Sequence, residues 1–193
     1  MARKKYDFRP DKPKADLLGK LYLTPTQRRN LLRWVLYGAL LLVLSLLQDV
    51  VLCRMDIFGA TTDLVPCAIL LICVQLGAHG AAIFALVAAC MYQFSGTAPG
   101  YYVIGLIPVL GLAAALLRQG YFRKSFSSTM LCACTAVLLY ELGVFGFGLL
   151  FESTIPTKAY RFLLAAALSL LSYPVLYPVT GAIERIGEKA WKE

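Results

Sequence analysis

The 193 residues are 59% hydrophobic and 16% charged, with a mean hydropathy of +0.68; a soluble domain runs about 45–50% apolar and about 25% charged. This excludes a disordered chain, a disulfide scaffold and a soluble enzyme with a modest core, and points to a polytopic membrane protein. The formal charge of +8, from 19 basic and 11 acidic residues, is unusual in so apolar a chain, and its placement decides the topology.

In chain order, residues 1–33 read as a basic cytoplasmic arm, with Lys4, Lys5, Arg9, Lys12 and Lys14 among prolines and aspartates. The first apolar run begins only near residue 34 and is too long for a signal-peptide core, so no cleaved leader is expected. Thr24-Pro25-Thr26-Gln27 has the form of a capping box with proline at the first helical position, which starts helix 1 at the membrane surface. Six apolar segments follow, at 34–53, 63–78, 80–95, 100–117, 127–151 and 158–181. They predict an all-α polytopic membrane protein, with a domain of six transmembrane helices over 34–181 and a short interfacial helix over 182–193. That tail places Ile183, Ile186, Ala190 and Trp191 on one helical face. The second and third segments are short, but one helix over 63–95 would run to about 50 Å against a hydrocarbon core of about 30 Å. Gly77-Ala78-His79-Gly80 supplies the break.

Charge supports that division. Six spans put 16 of the 19 basic residues on one side, whereas fusing segments two and three leaves 12 against 7. The positive-inside rule then places both termini in the cytoplasm. Most of the excess is an orientation signal, and the arm is expected to attract anionic lipid. No aromatic platform or groove motif accompanies the charge, so a nucleic-acid partner is not expected.

Little in the chain suggests covalent chemistry. Cys53, Cys67, Cys73, Cys90, Cys132 and Cys134 lie in or at the edge of apolar segments without C-x-x-C spacing, and read as small packing residues. His79 has no second imidazole with which to hold a metal and reads as a loop residue. No Ser-His-Asp set, H-E-x-x-H helix or phosphate loop occurs, so no enzyme, metal site or cofactor is expected.

Polar groups inside a bilayer are functional candidates by default. Here they are Gln48, Asp49, Gln75, Gln93 and Glu141. At 1.5 Å per residue, Gln48, Gln93 and Glu141 each fall about 20–22 Å from the cytoplasmic end of their helices. They are predicted to converge as one polar layer in the outer half of the bilayer. With no cation in the core, Glu141 is expected to be uncharged or hydrogen-bonded by the amides. Pro108 in the fourth segment, and Pro174 and Pro178 in the sixth, each remove a helix hydrogen bond and predict kinks that leave grooves. Small residues at Gly80, Ala81, Ala82, Ala85, Ala88 and Ala89 place the third helix at the centre of the bundle. Its exit turn, Ser95 to Gly100, carries no charge and can tuck against the protein.

Taken in order, several short motifs resemble a known family. Leu47-Gln48 is followed by Ile57-Phe58-Gly59-Ala60 and Asp63-Leu64-Val65-Pro66. A Gly/Ala-rich third helix leads to Ser95-Gly96-x-x-x-Gly100, Arg118 closes the fourth helix, and Tyr140-Glu141-Leu142 lies in the fifth. Over residues 34–181 this is similar to the bacterial rod shape-determining protein MreD. Two positions depart from the family. Tyr92 stands where relatives usually carry an aspartate, and Leu76-Gly77 where they often have Glu-Gly.

The resemblance implies a non-enzymatic scaffold of the cell-elongation machinery in the bacterial cytoplasmic membrane. Its direct partner would be an MreC-type single-span protein, and through it MreB filaments, RodA and the elongation penicillin-binding protein. It also implies a fold similar to the substrate-binding (S) component of energy-coupling-factor transporters. Asp63, Pro66, Gly96, Gly100, Pro108, Pro174 and Pro178 are then the candidate partner-groove and kink residues. The rival expectation is a vitamin-type binding component of such a transporter. A small-molecule site needs several convergent polar groups, and the outer loops supply few, which favours the scaffold.

Overall fold

A computed structural model describes residues 25–52, 62–122, 125–151, 154 and 159–188. Among them every regular element is an α helix. In order these are α1 (Pro25–Val50), α2 (Leu64–Leu76), α3 (Ala78–Phe94), α4 (Val103–Tyr121), α5 (Phe126–Leu150), α6 (Ala159–Leu171) and α7 (Tyr173–Glu188). α1 begins at Pro25, where fixed φ and a missing N–H cost nothing.

α1, α4 and α5 are each long and apolar enough to cross a membrane. α6 and α7 pass the same test only together, as one span bent by 48°. α2 and α3 have 13 and 17 residues, which makes them about 20 and 25 Å long. Among the described residues, length and composition therefore give three spans, or four with the bent pair, where the sequence predicts six.

The centre of the bundle is α2, which corrects the expectation that α3 would hold that place. Every residue from Leu64 to Gln75 is buried, and α2 touches all six other helices. α3 buries only one stripe, which includes Ala81, Ala85, Ala88 and Ala89, and leaves Ile83, Leu86, Val87 and Phe94 exposed. The small residues do their expected work at one face. A Cβ at Gly111 of α4 would stand 3.0 Å from the Cys73 sulfur and 3.5 Å from Ala85 Cβ, so α2, α3 and α4 meet closely there. Between helices and lipid tails there is no hydrophobic gain, so such packing and interhelical hydrogen bonds hold the bundle.

The last apolar segment also differs from its expected form. Instead of one helix kinked at two prolines, the chain breaks at Ser172, whose hydroxyl donates to the Ser169 carbonyl at 2.6 Å. Pro174 then lies in the first turn of α7, where it removes no helical bond, and Pro178 alone is interior. α7 runs on to Glu188, so residues 182–188 continue a helix that started in the bundle and are not a separate interfacial helix. Ile183 is buried on it, while Ala190 and Trp191 lie outside the described residues, as do the arm over 1–24 and Cys53. Pro108 is interior to α4 as expected.

The α2–α3 break falls at Gly77, whose φ of +80° suits glycine. A Cβ there would collide with the Gln119 side-chain amide. His79 is exposed in the first turn of α3, not in a loop. Just before the break, the Arg118 guanidinium of α4 donates to the Val74 carbonyl. A cation thus closes the C-terminal end of α2, where the last carbonyls lack helical partners and the dipole is negative. Near the same end Gln75 Nε2 donates to Thr180 Oγ1 of α7 at 3.0 Å.

Candidate functional site

The first N–H groups of a helix have no partner within it. At α2 that end is buried, and its own N-cap residue does not help: the Asp63 side chain makes no capping hydrogen bond. Two other helices do the work. Gln48 Oε1 of α1 accepts from the Val65 N–H at 2.8 Å, and Ser169 Oγ of α6 accepts from the Asp63 N–H at 3.0 Å. Leaving either N–H unmet in an apolar interior would cost several kcal/mol, roughly 2–7 on transfer scales. Gln48, only 2% exposed, is thus an acceptor dedicated to the start of α2.

Because the Asp63 carboxyl is not spent on the helix, it is available to its neighbours. Glu141 of α5, 4% exposed, stands within direct electrostatic reach of it. The buried hydroxyls of Tyr92 and Tyr140 face each other, and Tyr92 also faces Gln48; both phenols feel the two acids. Cys67, one turn into α2, lies beside Ser169 and the same pair of acids. Tyr102, partly exposed, bounds the cluster and stacks on Phe147 at 4.9 Å. Glu141 Oε1 has no hydrogen-bond partner among the described residues.

The structure brings together Gln48, Asp63 and Glu141 of the residues singled out in the sequence. Pro66 is buried beside them in the first turn of α2. The side chain from α3 is Tyr92, one residue before Gln93 and about 100° around the helix from it. Gln93 and Asp49 are half-buried, and Gln93 Oε1 and Asp49 Oδ1 have no hydrogen-bond partner among the described residues. Gly96, with φ of +80°, is open to its surroundings, and a Cβ at Gly100 would meet the Tyr102 ring. Their turn is held by Ser95 Oγ, which donates to the Tyr92 carbonyl at 2.8 Å and lies 2.9 Å from Thr97 Oγ1.

The sequence reading passed over Tyr92, Tyr140, Ser169 and Cys67 as parts of this cluster. The signal was present in the tyrosines: a phenol in an apolar helix has a polar tip that must be placed somewhere. Ser169 carries no such signal, because a helical serine is satisfied by its own backbone in most settings.

Beside the cluster, α1 and α3 touch at few points and leave a cleft of about 70 Å³, lined by Leu41, Ser45, Val65, Ala88, Met91 and Tyr92. Tyr92 and Val65 are shared between cleft and cluster. Among the described residues no group of three or more His, Cys, Asp or Glu side chains could hold a metal. Compared with known proteins, the chain matches no protein family, no curated protein and no solved structure.

Proposed function

We propose that the chain is a non-enzymatic scaffold of the bacterial cell-elongation machinery, similar to MreD, that binds an MreC-type single-span partner through transmembrane helices. In this reading all six apolar segments lie in the cytoplasmic membrane with both termini inside, α2 and α3 forming the short second and third passes. The observation that carries it is how the interior polar groups are used. Gln48, Ser169, Gln75 and Thr180 join one helix to another, and Tyr173 donates to the Ala133 carbonyl across α7 and α5 at 3.1 Å. A rigid, internally bonded core with apolar flanks suits helix-to-helix contact.

The cleft beside the polar cluster does not suit a vitamin: it has about 70 Å³, and small-molecule pockets occupy about 300–1,000 Å³. Arg28, Arg29 and Arg33 at the start of α1 fit a role at anionic headgroups.

Co-purification with an MreC-type protein after detergent extraction tests the reading. Stable association is expected, and depletion in a rod-shaped host should round the cells. Failure to associate, with tight binding of a vitamin in its place, would overturn the scaffold.

A further inference from the structure

The two halves of the last apolar segment are held to the bundle unequally. α7 is fixed on three other helices. Its Tyr173 hydroxyl donates to the Ala133 carbonyl of α5 at 3.1 Å, Thr180 Oγ1 accepts from Gln75 Nε2 of α2 at 3.0 Å, and the helix packs along α1. It buries the large side chains of Tyr173, Leu176 and Ile183. α6 rests chiefly on α5 and fully buries only Ala165, Ala166 and Ser169. Half-buried Phe162, tilted against Phe145 at 5.2 Å, adds one aromatic contact. Small side chains make few dispersion contacts, so α6 has less to lose by moving than α7 has.

The backbone between them supplies a joint. The Ser172 N–H donates to the Ser169 carbonyl at 3.1 Å, and the Val175 and Leu176 N–H groups donate to the Ser172 carbonyl at 3.1 and 3.0 Å. Among the described residues no backbone hydrogen bond runs directly from α7 to α6. In a continuous helix residue 174 would donate to the Leu170 carbonyl, and a proline has no N–H to give. Ser172 thus links two helices that stand 48° apart. A side-chain hydrogen bond ties α6 to α2: Ser169 Oγ accepts from the Asp63 N–H at 3.0 Å.

We propose that α6 is a gate that pivots at Ser172 and is latched by Ser169 to the start of α2. Hinged helices of this kind move on microseconds to milliseconds. Swung out, α6 uncovers the start of α2 and leaves the Asp63 N–H unmet in hydrocarbon, which keeps the closed form dominant. Whatever opens the gate must bring an acceptor of its own, a hydroxyl or carbonyl on an incoming helix, and by binding the open form it holds the gate there. The gate rests on the helix geometry and not on the scaffold reading.

Paired spin labels test it in the full chain in phosphatidylcholine nanodiscs, carried on unnatural side chains so that the native cysteines stay untouched. Labels at Leu163 of α6 and Val109 of α4, both exposed, should give two distances. Labels at Val179 of α7 and Val109 should give one. Ser169→Ala removes the latch and should raise the minor population at least about threefold. Pro174→Ala returns the missing N–H to the break and should lower it. A bundle that merely loosened would not answer the two variants in opposite directions. A second distance that appears only in Ser169→Ala still supports the latch. Where one variant does not fold, the other against the unaltered chain decides. The proposal falls if the Leu163 pair shows one distance in all three chains, or if either variant leaves two populations unchanged. It also falls if the Val179 pair splits in parallel, since the whole bundle would then be moving.

Discussion

The two ends of α2 meet the same need in different ways. At the C-terminal end a cation from α4, Arg118, donates to the Val74 carbonyl, so orphan acceptor and negative dipole are answered together. At the N-terminal end neutral acceptors, Gln48 and Ser169, satisfy the backbone donors. The acids Asp63 and Glu141 stand nearby without being spent on the helix. One end is met by a charged side chain; at the other the Asp63 and Val65 N–H groups are met by neutral ones and the Asp63 carboxyl makes no cap. In a bilayer no water makes up the difference, so each end depends on groups brought by other helices.

Five substitutions break or sharpen the comparison. Arg118→Met should do most damage, because it removes a charge-assisted bond and leaves a carbonyl unmet. A loss of about 2–3 kcal/mol is expected, read as a drop in the midpoint of thermal unfolding in detergent. Gln48→Leu strands the Val65 N–H while leaving the acids in place, and should cost about 1–3 kcal/mol in the same measurement. A wild-type midpoint for Gln48→Leu would mean that α2 does not depend on α1 for its start.

Gly77→Ala should cost about 1–2 kcal/mol, since a positive φ opposes a Cβ, while the Gln119 amide it would meet ends an exposed, flexible side chain that can move aside. Gly96→Ala shares the φ and meets no neighbour, so it should cost a similar amount, and any excess at Gly77 in the unfolding midpoints measures how firmly Gln119 is held. Gln93→Ala is expected to fall within about 0.5 kcal/mol of the wild type. A loss near that of Gln48→Leu would put Gln93 into the polar cluster beside Tyr92.

Much of the helical layout was legible because apolar runs and their breaks are written locally. Pro25 opens α1, Gly77 separates α2 from α3, and the 127–151 segment became α5 with a shift of one residue at each end. Gln48 and Glu141 could be put at one level by counting residues along their helices. The centre of the bundle could not be found in this way. Leu64–Leu76 is apolar on every side, and such a helix can face lipid or protein equally well, because both are hydrocarbon-like. Ala-rich α3 looked more central, yet small residues report close approach on one face only. The bend between α6 and α7 was anticipated from the wrong residue. Two prolines drew the eye, while the break sits at Ser172 and turns Pro174 into a helix-start residue.

By itself, then, the sequence determined which stretches are helical and apolar, where most of them begin and end, and how charge is distributed among them. These follow from hydropathy, proline and glycine, whose effects reach only a few residues along the chain. Tertiary structure decided that α2 is enclosed, that Tyr92 rather than Gln93 faces the acids, and that Gln48 and Ser169 serve a helix from which they are 17 and 106 positions removed. Those outcomes depend on the rotation of each helix about its own axis. In a bilayer that rotation is set by interhelical packing and hydrogen bonds, which no single helix encodes.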